Sequence, residues 1–202
     1  MQAHSIIDFS ITYQSDLIMK RIFLLTTTFM LAAAAQAQVW FTKTGTVSFF
    51  SHTAVEDIQA SNSEAVSFID AAKGEFRFQV LIKGFKFPKA AMQDHFNDAN
   101  YMGSDQFPKA DFKGTLTNPA AVNFKKDGVY KVEVQGAMTM HGQTKAIKVP
   151  GTITIRNGVP TVDAVFNVKR SDFGIKVPNF SAAKIAEEIE VTVKCVYEPY
   201  TR

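Results

Sequence analysis

The chain has 202 residues, of which 46% are hydrophobic and 20% charged, with a formal net charge of +3. Its basic residues are scattered among acidic ones, which excludes nucleic acid as the principal partner, because phosphate binding needs Lys and Arg clustered on one face. The single cysteine, Cys195, excludes an internal disulfide, and a chain of this size has core enough to fold without one.

In chain order, residues 19–37 have the grammar of a secretory signal. Lys20 and Arg21 give the positive start, an apolar run follows, and Ala35-Gln36-Ala37 is a small-x-small cleavage site with the cut expected after Ala37. The apolar run is shorter than the roughly 20 residues that span a bilayer, so no membrane span is expected in the mature form. Residues 1–18 carry Asp8 and Asp16 ahead of the charged start and suit no targeting class. They are expected to be untranslated or unstructured, with Met19 as the true start. Residues 38–202 are then expected to form one domain, of a size that buries about two thirds of its unfolded surface.

The mature part alternates apolar and polar residues with the period of strands buried on one face. WFTKTGTVSFF (40–50) and EAVSFIDAA (64–72) are the first two such runs. EFRFQVLIKGF (75–85) sets Phe76, Phe78, Val80 and Ile82 on one face, and ADFKGTL (110–116) sets Ala110, Phe112, Gly114 and Leu116. Four more runs begin at Gly128, Ala146, Thr161 and Glu187, with Val134, Met138, Ile153, Ala164, Phe166, Val191, Cys195 and Tyr197 among their apolar faces. Asn157-Gly158 is the strongest turn signal, because a two-residue type I′ hairpin needs positive φ at both positions. Lys73-Gly74, Asp127-Gly128 and His141-Gly142 also divide alternating runs. Crossover helices are missing, so the eight strands are expected to be antiparallel neighbours, closed into a barrel or split into a sandwich. Glycine and alanine on the inward faces fit either an internal cavity or tight bends of a coiled sheet.

One segment breaks the pattern. Pro88 is placed to begin a helix, and Met92, Phe96 and Ala99 recur at i, i+4 and i+7 as one apolar stripe, before Gly103 and Pro108 end it. Such a helix between two barrel strands is expected to bury its stripe at a barrel end, as a plug or a lid.

Four segments in order resemble the YceI-like lipid-binding (polyisoprenoid-binding) proteins: GTVSFFSHTAVEDIQASN as a first strand and following turn, MQDHFNDANYMGSDQFPKADFKG, VEVQGAMTMHGQTKAIKVP and FNVKRSDFGIKVPN. The resemblance implies an all-β fold, an eight-stranded antiparallel lipocalin-like barrel with a short helical lid. It also implies export to the bacterial periplasm and a long isoprenoid or fatty chain held inside, with neither catalysis nor cofactor. The expected lining is Phe78, Val80, Phe112, Val134, Met138, Ile153, Phe166 and Val191, with Met92, Phe96, Tyr101 and Met102 at the lid. Lys169 and Arg170 are the candidates for neutralising a charged head group at the mouth. A second copy of the chain, as a homodimer, stays open as a partner.

Sharper chemistry is weaker. His95 has no second histidine at i+4 for a metal face, His141 sits in a hairpin turn without an assignable nucleophile, and His52 has no nameable partner. No metal site is therefore expected. Ser171–Gly174 matches a kinase tripeptide without the accompanying kinase motifs, and Asn179-Phe180-Ser181 fits a glycosylation acceptor that has no role in a bacterial protein. Cys195 reads as a buried, inert thiol. Two alternatives to a carrier remain: an isoprenoid-modifying enzyme using Tyr130, Tyr197 or Cys195, and a ligand-free interaction barrel with a filled interior.

Overall fold

The structure, a computed structural model, describes residues 38–201, so the signal-like segment and the residues ahead of it lie outside the described residues. Its strands are β1 (Val39–His52), β2 (Asp57–Asp70), β3 (Glu75–Leu81), β4 (Lys109–Leu116), β5 (Gly128–Met140), β6 (Gln143–Arg156), β7 (Val159–Lys169) and β8 (Glu188–Val196), with a two-residue β9 (Glu198–Pro199). Among the described residues one α-helix, α1 (Ala90–Asn97), lies between β3 and β4. Each of the eight strands pairs antiparallel with the next, and β8 returns to β1, which closes the sheet. The result is an eight-stranded antiparallel barrel. β9 prolongs the line of β8 along the start of β1, with Trp40 opposite Pro199.

The tight hairpins have the expected chemistry. Asn157 and Gly158 lie at φ 51° and 74° between paired Arg156 and Val159, and His141 and Gly142 at φ 50° and 73° between Met140 and Gln143. The Asp127 carboxylate accepts the backbone N–H groups of Asn157 and Gly158 at 2.8 and 3.1 Å, and these bonds hold it below the ordinary aspartate range.

Three expectations are corrected. β2 begins at Asp57, so DIQASN is strand and not turn; the turn is confined to residues 53–56, where Thr53 Oγ1 accepts the Val55 and Glu56 amides. The apolar alternation fails there because the buried Asn62 faces inward, its Nδ2 donating to the Leu81 carbonyl at 2.9 Å while its Oδ1 accepts the Glu64 amide at 2.7 Å. Second, α1 stops at Asn97 and leaves Ala99 outside the stripe, because the Asp98 carboxylate accepts the Asn100 amide and turns the chain out of the helix. Third, His52 has a partner, Asp57, with Nδ1 2.6 Å from Oδ1 across the β1–β2 turn.

The strand glycines serve close approach and not vacancy. Gly114 and Gly136 face each other across β4 and β5, and a Cβ on Gly136 would lie 2.2 Å from the Lys113 carbonyl oxygen. A Cβ on Gly45 would meet the Cys195 sulfur at 2.7 Å.

Candidate ligand-binding site

The barrel interior is divided into two ends. One is packed: Trp40, Ile69, Phe76, Leu116, Val134, Ile153, Ile155, Cys195 and Tyr197 form a continuous cluster there. The second cluster gathers Val47, Val80, Ile82, Phe85, Met102, Ala110, Val168, Phe173 and Ile175 at the other end. Phe78 and Val193 pack against both and partition them.

The second end is hollow. A cavity of about 470 Å³ opens there, within the roughly 300–1,000 Å³ span of small-molecule sites. Its walls come from the inward faces of β1 (Val47, Phe49), β2 (Ile58), β3 (Val80), β4 (Ala110), β5 (Met138, Met140), β7 (Val168) and β8 (Ile189, Val191). The segment after β3 closes over it. Phe96 of α1 lies 5.5 Å from Phe49, 5.7 Å from Phe85 and 5.0 Å from Phe87, measured between ring centroids. This aromatic cage fastens a helix that has no side-chain cap of its own.

Of the expected wall residues, Val80, Met138 and Val191 line the cavity, and all four lid residues, Met92, Phe96, Tyr101 and Met102, do as well. Phe78, Phe112, Val134 and Ile153 belong to or pack on the filled end, and Phe166 packs against the cavity-end cluster without lining the space. All of them face inward; what separates them is depth along the barrel axis. Ala110 is the one small strand residue of the sequence reading that borders the hollow. Residues that sequence reasoning missed are Val47 and Phe49, Phe85 and Phe87, and the Ile175–Ile185 connection before β8. In IKGFKF an apolar alternation resumes at Phe85 and Phe87, but one residue out of step with Phe78, Val80 and Ile82, because the tight turn Ile82–Gly84 shifts its phase.

Polar groups gather at the mouth. Lys89, His95, Lys184 and Glu56 border it. Arg170 also lines the cavity, but each nitrogen of its guanidinium group is engaged: Nε donates to the Ala186 carbonyl at 3.2 Å, one terminal nitrogen to the Ile175 carbonyl at 3.2 Å, and the other sits 2.9 Å from a Glu187 carboxylate oxygen. The Ser171 side chain, then Arg170 and Lys169, hold the Glu187 carboxyl below its ordinary range. Arg170 is thus a clamp on the β7–β8 connection. Lys169 is exposed on β7 outside the lining, so the head-group pair of the sequence reading is not assembled. Lys89 and Lys184 occupy that position, and neither is among the ion pairs of the described residues.

The catalytic candidates lie elsewhere. The buried Cys195 thiol is pushed up to about 11 by burial, and burial likewise raises Tyr197, whose hydroxyl pairs with Ser67 at 2.7 Å. Both sit in the filled end, and the Tyr130 hydroxyl donates to the Lys126 carbonyl. His141 donates from Nδ1 to the Phe173 carbonyl at 3.1 Å and lies 4.4 Å from the Phe107 ring. Among the described residues no three His, Cys, Asp or Glu side chains are grouped to hold a metal, and no helix is long and apolar enough to cross a membrane.

Residues 30–197 match the YceI-like domain family. The fold is similar to that of BcnA from Burkholderia cenocepacia, at a TM-score of 0.64 and 20% identity over 76% of this chain and 96% of that one. It is also similar to a polyisoprenoid binding domain from Saccharophagus degradans implicated in plant cell wall breakdown, at a TM-score of 0.69 and 12% identity over 82% of this chain and 100% of that one. At these identities the likeness establishes the fold. No curated protein sequence matches the chain.

Proposed function

The chain belongs to the YceI-like domain family, and from that premise we propose that it is an exported, periplasmic carrier that sequesters a long hydrophobic chain, such as a polyisoprenoid, an isoprenoid quinone or a fatty-acid-like lipid, without chemical change. The observation that carries this reading is the cavity itself, a blind apolar tube of about 470 Å³ closed at one end by packed side chains and bordered by polar groups only near its mouth. Each methylene buried in such a space stabilises a complex by about 0.8 kcal/mol, so a long chain needs no polar contact along its length. The tail then points toward Phe78 and Val193. An anionic head group stays at the mouth beside Lys89, His95 and Lys184, in place of Lys169 and Arg170. The S. degradans relative, described as a polyisoprenoid binding domain, supports an isoprenoid as the first ligand to test.

The test is solvent extraction of the protein after native export, followed by mass spectrometry of what is released. A stoichiometric prenyl or acyl lipid is the expected result, lost in an Ala110→Phe variant whose new ring occupies the space. An extract without lipid from the wild type, together with a melting temperature unchanged by added polyprenyl lipid, overturns the carrier.

A further inference from the structure

The rim of the cavity carries features that holding a ligand does not require. The chain after Pro178 is a well-fastened turn. The Ser181 amide and hydroxyl both donate to the Pro178 carbonyl, at 2.9 and 3.1 Å, the Lys184 amide donates to the Ser181 carbonyl at 2.9 Å, and Tyr101 of the lid segment pairs with the Ser181 hydroxyl at 3.0 Å. Yet this ordered turn presents Phe180, which borders the cavity, with 81% of its surface exposed. Val55, beside the mouth residue Glu56 in the β1–β2 turn, is 61% exposed. A fixed turn that holds an aromatic ring in water is positioned for something that covers it.

Charge selects the covering surface. With Arg170 spent on Glu187, the cavity border carries Lys89, Lys184 and one carboxylate, Glu56, and Lys176 is exposed on the same connection as Phe180. Apolar side chains interleaved with unpaired lysines match the interface of a bilayer that contains anionic lipid, where rings enter the headgroup boundary and lysines meet the negative surface. We propose that the barrel docks mouth-first on such a bilayer through Phe180, Val55, Lys89 and Lys184. The inference rests on the reading that the cavity takes a hydrophobic chain, and it supplies what that reading lacks: a route by which the chain passes between bilayer and barrel without crossing water.

The experiment is flotation of the full mature protein with vesicles of phosphatidylethanolamine and phosphatidylglycerol, or of phosphatidylcholine alone, with binding of farnesol in solution measured separately. Wild type is expected to float with the anionic vesicles. Phe180→Ser weakens that binding about tenfold, and Val55→Ser, at a residue outside the cavity lining, weakens it less while farnesol binding in solution persists. Lys89→Gln and Lys184→Gln each cost about fivefold on anionic vesicles and nothing on phosphatidylcholine. Wild type that binds farnesol but never floats overturns the docking and leaves the carrier intact; wild type that floats but binds neither farnesol nor a polyprenyl lipid overturns the carrier. A dimer in solution that Phe180→Ser dissociates also overturns the docking, because the rim is then a protein interface.

Discussion

At the scale of single residues, the sequence motifs supply cavity wall, as Phe49, Phe96, Ala110 and Met138 show, and also build a corner beside it. Phe107, His141 and Phe173 come from three of the four family-like segments, and they meet at one corner, where the His141 ring contacts Phe107 and bonds the Phe173 carbonyl. That corner joins the end of the lid segment to the β5–β6 hairpin and to the turn after β7. His141→Ala is expected to destabilise by about 1–2 kcal/mol, the sum of a lost hydrogen bond and a lost ring contact. Gly142→Ala is expected to cost at least as much, because it combines φ 73° with a Cβ 2.8 Å from the Phe107 ring; urea midpoints of the two variants check both. Cys195 gives a second residue-scale prediction. Its thiol is pushed up to about 11 in the fold, so its contribution to stability is complete below the ordinary thiol value and is lost as pH rises through about 11. A loss of roughly 2–3 kcal/mol follows from the two-unit difference. Tyr197, raised in the same direction by burial, adds to the alkaline loss at higher pH. Urea unfolding followed from pH 8 to 11 should show the decline, and Cys195→Ala should flatten its lower part even though its starting stability is lower.

At the scale of elements, α1 is a short helix that borrows its stability. Eight residues without a side-chain cap are too few to be helical alone, and Phe96 in the cage of Phe49, Phe85 and Phe87 holds it down. Phe96→Ala is expected to lower the free energy of lid opening by about 1–2 kcal/mol and so raise proteolysis between Pro88 and Pro108 about tenfold, with little change in the global melting temperature. Existence of this helix and of the strands was legible because periods of 3.6 and 2 are local properties. Two things were not. The inward face of β1 is hidden by a bulge: Thr42 pairs with Ser67 but Gly45 with Ala65, so the alternation skips a residue at Lys43–Thr44, and a compensating skip in β2 falls between Asn62 and Ala65. Val47 and Phe49 therefore escape a parity reading that starts at Trp40. Depth is hidden more completely. Phe112 and Ala110 lie two residues apart on one face of one strand, yet Ala110 borders the hollow and Phe112 packs on the filled end. Alternation reports which side of the sheet a residue occupies, and nothing local reports how far along the barrel the packing stops.

At the scale of the whole molecule, a barrel filled at one end and hollow at the other separates the stabilising half from the binding half. Ile153 is fully buried among Trp40, Phe76 and Ile155, so Ile153→Ala leaves a void that the rigid sheet cannot close, and a loss of about 2–5 kcal/mol is expected. Met138 already borders open space; truncating it removes contacts on one side only, and Met138→Ala is expected to cost about 1 kcal/mol in the empty protein. The order should change for the bound state. A ligand present at a hundred times its dissociation constant stabilises the fold by about 2.7 kcal/mol, and this increment depends on the cavity wall and not on the packed end. Thermal melts of both variants with and without a polyprenyl lipid measure it directly. Ile153→Ala should keep the full ligand-induced shift on a lowered baseline, whereas Met138→Ala should start near the wild type and show a smaller shift. Equal shifts in the two variants would mean that the hydrophobic chain binds somewhere other than between β5 and the lid.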